Sequence, residues 1–241
     1  MNSLRALIVF AILASHSAQL SASVNFFDEA DAFFSGVVDN GRIKYAEVAR
    51  DPEMLNKLVK QIAGFPLTDE ISNRNKAFYI NAYNILVIHQ VVQHYPIGSP
   101  MDVPGFFDGQ AYSVAGTDRT LNQLEKEILL PVYPDARIHF VLVCAAVDCP
   151  PIVDYAYMPD MLDKQLETQT IKALNDPEFI KVLDGQVNIS EIFKWYKEDF
   201  LEESESVLDY INSFRKNKIP DSYSVSYYTY DWTLNDVQKK K

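Results

Sequence analysis

The chain has 241 residues, 48% of them hydrophobic, and a formal net charge of −11 at pH 7. The apolar fraction is ample for a packed core and excludes a largely disordered chain. The negative charge argues against binding nucleic acid or an anionic membrane through bulk electrostatic attraction.

The N-terminal residues follow the order of regions that is typical of a secretory signal peptide. A positive charge at Arg5 precedes an apolar run of nine residues, Ala6–Ala14, and small residues follow. A bilayer span needs about 20 apolar residues, and no later stretch reaches that length without polar residues. We therefore expect residues 1–22 to form a signal peptide cleaved within Ser17–Ser23. The mature chain is expected to reach the periplasm of a Gram-negative host, or otherwise to be secreted, without an integral membrane segment.

Three helices are predicted over the next stretch of the chain. Apolar residues at helical spacing predict a helix over Phe26–Val38. The triplet Asp51–Glu53 supplies an N-cap, a proline and an acid, so a second helix is expected from there to about Ala63. A third helix is expected to end near His94, where Tyr95–Pro96 stops it.

The third helix, which begins after Asp69 or Ser72, is apolar almost all round over Ala77–Val92. Such a helix is normally buried. Asn81 and Asn84 lie three positions apart on one face of it. Two buried amides without partners would cost on the order of 1–3 kcal/mol each, so we expect a hydrogen-bond network. Either the amides hold the backbone of a neighbouring loop, or one of them is an orienter or oxyanion donor.

Downstream, turn signals predict short elements in irregular alternation. Asp108–Gly109 and Asp184–Gly185 are hairpin signals, and Thr120–Gln123 is a capping box for a helix through Leu130. Three further helices and a last strand are predicted over residues 159–174, 190–201, 206–216 and 223–232. This irregular order predicts an α+β fold. We expect a single domain over residues 25–237, in which a long buried central helix packs with further helices against a small, mostly antiparallel sheet.

Both cysteines and His139 lie within one segment, residues 137–151. We interpret Ile138–Val143 as an apolar strand that ends at a proline-bounded turn, a common way to present chemistry at the edge of a core. Side chains alternate along a strand, which places His139 and Cys144 on opposite faces. If a thiol meets His139, Cys149 beyond the turn is therefore the better candidate.

Three interpretations of these residues remain open. In an exported chain, Cys144 and Cys149 can form a disulfide, since a tight turn brings their Cα atoms within range. Alternatively, one thiol is a nucleophile assisted by His139, as in papain-like or transglutaminase-like enzymes. A zinc site is disfavoured because the alternation separates the ligands and no fourth ligand stands out. His139 is equally compatible with a hydrogen-bonded core histidine.

Two acids in apolar surroundings are further candidates. Glu125 follows the Thr120 cap on a helix rich in leucine, and Asp199 lies in an aromatic stretch. Acids of this kind are more often surface charges or partners in i,i+4 pairs. We find no phosphate-binding loop, dinucleotide-binding glycine motif, His-Glu-x-x-His or Gly-x-Ser-x-Gly, so no cofactor is expected.

A specific resemblance then emerges from residues 76–89, Lys-Ala-Phe-Tyr-Ile-Asn-Ala-Tyr-Asn-Ile-Leu-Val-Ile-His. This stretch resembles the hallmark helix of the family catalogued as domain of unknown function number 547. Further blocks resemble that family in order, over residues 41–45, 94–96, 121–129, 137–152, 191–200 and 230–235. The resemblance covers about residues 28–236 and implies a single exported α+β domain. One departure is Leu130, where the family usually has an arginine that would bind a carboxylate or pair with an acid.

The resemblance places weight on seven residues: Asn81, Asn84, Glu125, His139, Cys144, Cys149 and Asp199. Two hypotheses use them. In a thiol hydrolase or acyltransferase, Cys149 is the nucleophile, His139 the base, and Asn81 or Glu125 the orienter. In a non-catalytic binding or interaction module, Cys144–Cys149 is a structural disulfide. In either case Asn84, Cys144 and Asp199 are expected to contribute to binding an unidentified small molecule or peptide.

Overall fold

The fold is built around one long helix that other helices surround. The computed structural model describes residues 26–69 and 71–238, so the expected signal peptide lies outside the described residues. The first four helices, α1 to α4, comprise residues 26–37, Tyr45–Arg50, Glu53–Ala63 and Asn73–His94. Asp51 does not cap α3 as expected, because Pro52 occupies the N-cap position and no side chain bonds the helix end.

Helix α4 is the predicted buried central helix. The Ser72 hydroxyl caps it by accepting a hydrogen bond from the Asn75 amide, and the helix ends at His94 before Tyr95–Pro96. Every residue over Asn75–Ile88 is buried, because α2, α3 and the helical segment after Thr120 pack around it. Polar groups within this stretch must therefore find partners in the protein.

That helical segment, here called α5, begins at the predicted capping box. Thr120 accepts from the Gln123 amide at 3.2 Å while the Gln123 side chain accepts from the Thr120 amide at 3.0 Å. The segment consists of Leu121–Gln123 as α-helix, Leu124–Leu129 as π-helix and Leu130–Val132 as α-helix. Wide π-helical turns are rare and frequently occur at functional sites.

Over the described residues the strands form three small sheets, where one small sheet was expected. Two are hairpins and the third has three strands in the order β5-β6-β7. The strands β1 to β7 are Val38–Asp39, Arg42–Ile43, Ala111–Val114, Thr117–Thr120, Ile180–Leu183, Gln186–Ser190 and Ser224–Tyr228. Among these strands the pairings are antiparallel except for β6 with β7, which run parallel with Val187 opposite Val225. The α+β class is confirmed.

The C-terminal half contains shorter helices, α6 to α9, over Leu162–Asn175, Ile192–Trp195, Lys197–Leu201 and Val207–Phe214. The single helix predicted over residues 190–201 is divided at Tyr196, which leaves helical geometry with φ −114° and ψ 30°. Within the described ranges, no helix is long and apolar enough to cross a membrane.

The segment interpreted as a strand, Ile138–Val143, was predicted wrongly. Ala136–Phe140 is a 3₁₀ helix capped by the Asp135 side chain, and irregular backbone follows. Ile138 packs into the core around α4, whereas Phe140 packs into a second core beneath α7 to α9. The apolar run reflects burial between two cores, and a short apolar run by itself does not distinguish a strand from a buried helical turn.

The hairpin predicted at Asp108–Gly109 lies further along the chain than expected. The β3–β4 turn lies at Ala115–Gly116, whose φ angles of 50° and 80° are both positive. Two central residues with positive φ are typical of the tight turns that join antiparallel strands. The hairpin at Asp184–Gly185 is confirmed as the β5–β6 connection.

After β7 the chain returns across both cores. The Asn235 amide donates to the Ala145 carbonyl at 3.0 Å, and the Val147 amide donates to the Thr233 carbonyl at 2.9 Å. The buried Tyr45 hydroxyl donates to the Asn235 side chain at 2.9 Å. This return segment, residues 230–238, brings Tyr230 and Trp232 beside the irregular backbone that carries the cysteines.

Candidate functional site

A cavity of about 680 Å³ opens where these elements meet. Its walls come from α4, the loop at Phe107–Asp108, α5, the 3₁₀ helix and the segment after it, α7, α8 and the return segment. Five of the seven residues singled out from the sequence line it: Glu125, His139, Cys144, Cys149 and Asp199. These five residues are spread over 75 positions of the chain, from residue 125 to residue 199, and the fold brings them together.

Cys144 and Cys149 form a disulfide in the cavity wall, with their Cα atoms 6.3 Å apart. The Cys144 amide donates to Cys149 Sγ at 2.9 Å, and Cys144 Sγ lies 3.0 Å from the Tyr230 hydroxyl. Of the three interpretations left open by the sequence, the disulfide is the one that is present. Bridged sulfur is neither a thiolate nucleophile nor a zinc ligand, so in this state the cysteines serve as wall and cross-link.

His139 is held by a carboxylate that sequence reasoning assigned to binding only. Its Nε2 lies 2.7 Å from Asp199 Oδ2, with the histidine side chain 3% exposed and the aspartate side chain 38% exposed. Asn81 and Glu125, the expected orienters, do not bond it. The alternation that was expected to separate His139 from Cys144 does not apply because the segment is not a strand, and both residues line the cavity.

Glu125 is fixed by two tyrosine hydroxyls. Tyr83 donates to Glu125 Oε2 at 3.1 Å, and Tyr196 donates to Glu125 Oε1 at 2.5 Å. Burial raises the pKa of both tyrosines above its usual value, and the charge of Glu125 adds to the shift. Both hydroxyls therefore stay protonated and act as donors. The Tyr196 ring also packs against the His139 ring, with centroids 4.1 Å apart, so one side chain links the two polar groups.

Asn81 and Asn84 do not line the cavity. Asn81 Nδ2 donates to the Tyr157 carbonyl at 2.8 Å, while its Oδ1 accepts from the Tyr157 amide at 2.9 Å. Asn84 holds the backbone after the 3₁₀ helix in the same two-sided way, through the Val141 carbonyl at 2.9 Å and the Val143 amide at 3.0 Å. Both amides thus hold the backbone of neighbouring segments, which is the first of the two alternatives given above. Their position supports neither a catalytic role for Asn81 nor a ligand contact for Asn84.

Sequence reasoning missed the aromatic wall of the cavity. Trp195 stacks on Trp232 with ring centroids 6.0 Å apart and an interplanar angle of 23°. Tyr230 lies 5.0 Å from Trp195 and 4.9 Å from Trp232. The sequence did hold a signal for this wall. The chain has only two tryptophans, and both lie in segments that resemble blocks of the family.

The charged groups at the cavity are mostly acidic. Glu125, Glu198, Asp199 and Asp108 line it, and Lys126 is the lysine among its lining residues. Leu130, which stands where the resemblance leads one to expect an arginine, also lines the cavity and adds no positive charge. The site therefore combines aromatic faces with negative charge.

Over residues 26–69 and 71–238, no group of three or more His, Cys, Asp or Glu side chains is placed to hold a metal ion.

Comparison with known proteins relates part of the chain to one family. A search of curated proteins and a search of solved structures each gave no match. The sequence model of a family described as "Protein of unknown function, DUF547" matches residues 68–172, which is less than half of the chain. The matched stretch includes α4, α5 and the disulfide but ends before Trp195 and Asp199. Over residues 68–172, the chain resembles the DUF547 family.

Proposed function

We propose that the chain is a binding module that takes a small organic ligand into the cavity beside the Cys144–Cys149 disulfide. The observation that carries this proposal is the disulfide itself, because it occupies the position where a catalytic thiol would otherwise stand. The volume of about 680 Å³ falls within the range of about 300–1,000 Å³ that is common for small-molecule sites.

The tryptophans provide the test. Both tryptophans of the chain line the cavity, so intrinsic fluorescence reports on ligand entry without a label. We expect a saturable change in emission with a bound ligand, and we expect it to persist in the Cys144→Ala/Cys149→Ala variant. Thiol titration of the denatured, unreduced protein is the companion measurement. Two titratable thiols in freshly purified protein that is denatured without reductant would contradict a structural disulfide.

A second candidate function follows from the His139–Asp199 pair. A histidine oriented by a carboxylate, in a cavity with two sulfurs, has the components of a thiol hydrolase or acyltransferase. A dithiol reductant would convert the bridge into two thiols and itself become a disulfide. Cys149 would then be the nucleophile, with His139 as base. Among the described residues, no hydrogen bond joins His139 to either sulfur in the bridged state, which is why this candidate ranks second.

The two candidates separate in one assay. Hydrolysis of an activated ester is measured with and without dithiothreitol, in the wild type and in Asp199→Asn. If the thiol is catalytic, we expect hydrolysis only after reduction. In Asp199→Asn, where His139 is no longer oriented, the rate should fall about 10²- to 10⁴-fold. Equal rates in both proteins and both conditions would exclude this candidate and leave the binding module.

Export is part of the same proposal. The N-terminal residues have the regions of a signal peptide, and a disulfide persists best in an oxidising compartment such as the periplasm or the extracellular space.

A further inference from the structure

We infer that the ligand of the cavity carries an organic cation, an ammonium or guanidinium group, which sits against the Trp195–Trp232–Tyr230 wall near Asp199 and Glu198. This inference rests on the proposed binding function and names the chemistry of the ligand. Its support comes from the faces that the aromatic rings present and from the balance of charge around them.

The aromatic wall is suited to a cation. Three rings pack together with centroids between 4.9 and 6.0 Å apart. Tyr230 is only 5% exposed, so the two tryptophans provide the accessible aromatic surface. Trp195 is 45% exposed although it is large and aromatic, which leaves its surface free for a partner. Tryptophan is the best aromatic acceptor for a cation, and Arg and Lys side chains and quaternary ammonium ligands are bound in this way.

The charges around the wall favour the same ligand. Glu198 and Asp199 lie on α8, three and four positions after Trp195, and both line the cavity. Asp199 bonds His139 through Oδ2, and its side chain remains 38% exposed. Glu125, also in the lining, accepts hydrogen bonds from two tyrosine hydroxyls. Four lining carboxylates against one lysine repel an anion and attract a cation.

A neutral sugar is the main alternative, because aromatic faces also stack on sugar rings. Its recognition does not need the carboxylates to be charged, so it predicts binding that is insensitive to salt. A cation predicts binding that weakens as salt rises, because the Debye length falls from about 30 Å at 0.01 M to about 8 Å at 0.15 M. Salt dependence therefore distinguishes the two.

The experiment uses three five-carbon probes of similar size, pentane-1,5-diammonium, pentane-1,5-diol and glutarate, and the disaccharide maltose as the sugar probe. Each is titrated into the full exported protein while tryptophan emission is recorded at low and at physiological salt. We expect a saturable response to the diammonium that weakens with salt, and at least about tenfold weaker responses to the other three probes. A tenfold ratio corresponds to about 1.4 kcal/mol.

Matched variants locate the cation. Glu198→Gln should weaken diammonium binding about two- to fivefold, the range for one exposed charge pair. Trp195→Ala should weaken it about 2- to 30-fold, and calorimetry replaces fluorescence for this variant. Glu205→Gln removes an exposed acid that does not line the cavity and should leave binding unchanged. Equal losses in Glu198→Gln and Glu205→Gln would overturn the proposed location.

The failures of the two proposals are distinguishable. A saturable response to maltose, the diol or glutarate without one to the diammonium overturns the cation and retains the binding module. A response to none of the four probes, with the protein folded by circular dichroism, overturns both.

Discussion

At the scale of single residues, Tyr196 is the most consequential side chain in the site. Its hydroxyl donates to Glu125 at 2.5 Å while its ring packs on His139. The sequence indicated Glu125 and His139 separately, but nothing in their spacing indicated that one tyrosine joins them. That tyrosine interrupts the helix predicted over residues 190–201, and Trp195 and Asp199 on either side of it both line the cavity.

Removing the Tyr196 hydroxyl gives the first prediction. Tyr196→Phe deletes a hydrogen bond to a charged group, and we expect a loss of about 1.5–3 kcal/mol in the free energy of unfolding at neutral pH. Urea denaturation measures this loss. Tyr227→Phe, at an exposed tyrosine in β7, is the control and should change stability by less than about 0.5 kcal/mol.

The same tyrosines set an alkaline limit to stability. Burial raises the pKa of Tyr83 and Tyr196 in the folded state, whereas an unfolded tyrosine titrates near pH 10. Above about pH 10 the unfolded chain loses these protons first, so the free energy of unfolding falls as pH rises. We expect a shallower fall in Tyr196→Phe, and equal slopes in both proteins would contradict this assignment.

The buried amides give the next residue-scale prediction. Asn84→Leu leaves the Val141 carbonyl and the Val143 amide without their partners, and each unsatisfied group costs about 1–3 kcal/mol. Asn56→Leu, on the exposed face of α3, is the matched control. A loss below about 0.5 kcal/mol in Asn84→Leu would mean that this amide does not hold the backbone.

At the scale of elements, the sequence predicted the helix ends and turns that depend on residues close together in the chain. The ends of α4, the capping box of α5 and the Asp184–Gly185 hairpin follow from capping groups and turn residues that act over a few positions. The sequence did not predict the 3₁₀ helix within residues 136–143, because the apolar residues of this segment pack into two different cores. Only the tertiary structure reveals that division.

The disulfide is the cross-link of this irregular segment. Five positions separate Cys144 from Cys149, and for so short a loop the chain-entropy account gives about 2 kcal/mol of stabilisation. We expect Cys144→Ala/Cys149→Ala to lower the free energy of unfolding by about that amount. Wild type reduced with dithiothreitol should shift its denaturation midpoint similarly. An unchanged midpoint in both would show that the bridge does not constrain the unfolded chain.

At the scale of the whole molecule, the site depends on residues that are remote in sequence. Composition and periodicity predicted an α+β fold with a buried central helix, and the motifs indicated Glu125, His139 and the two cysteines. The pairing of His139 with Asp199, 60 positions away, and the aromatic wall of the return segment depend on how the C-terminal half folds back. Local patterns carry no information about such contacts.

The return segment yields the last prediction. Leu234 is fully buried in the core around α4, and the backbone on either side of it bonds Ala145 and Val147. Leu234→Ala should therefore cost about 2–5 kcal/mol in the free energy of unfolding. Leu183→Ala, at a leucine that is 57% exposed in β5, is the control. Because Tyr230 and Trp232 depend on this anchor, Leu234→Ala should also shift tryptophan emission in the folded protein. A stable variant with unchanged emission would show that the cavity wall does not need the return segment to be anchored.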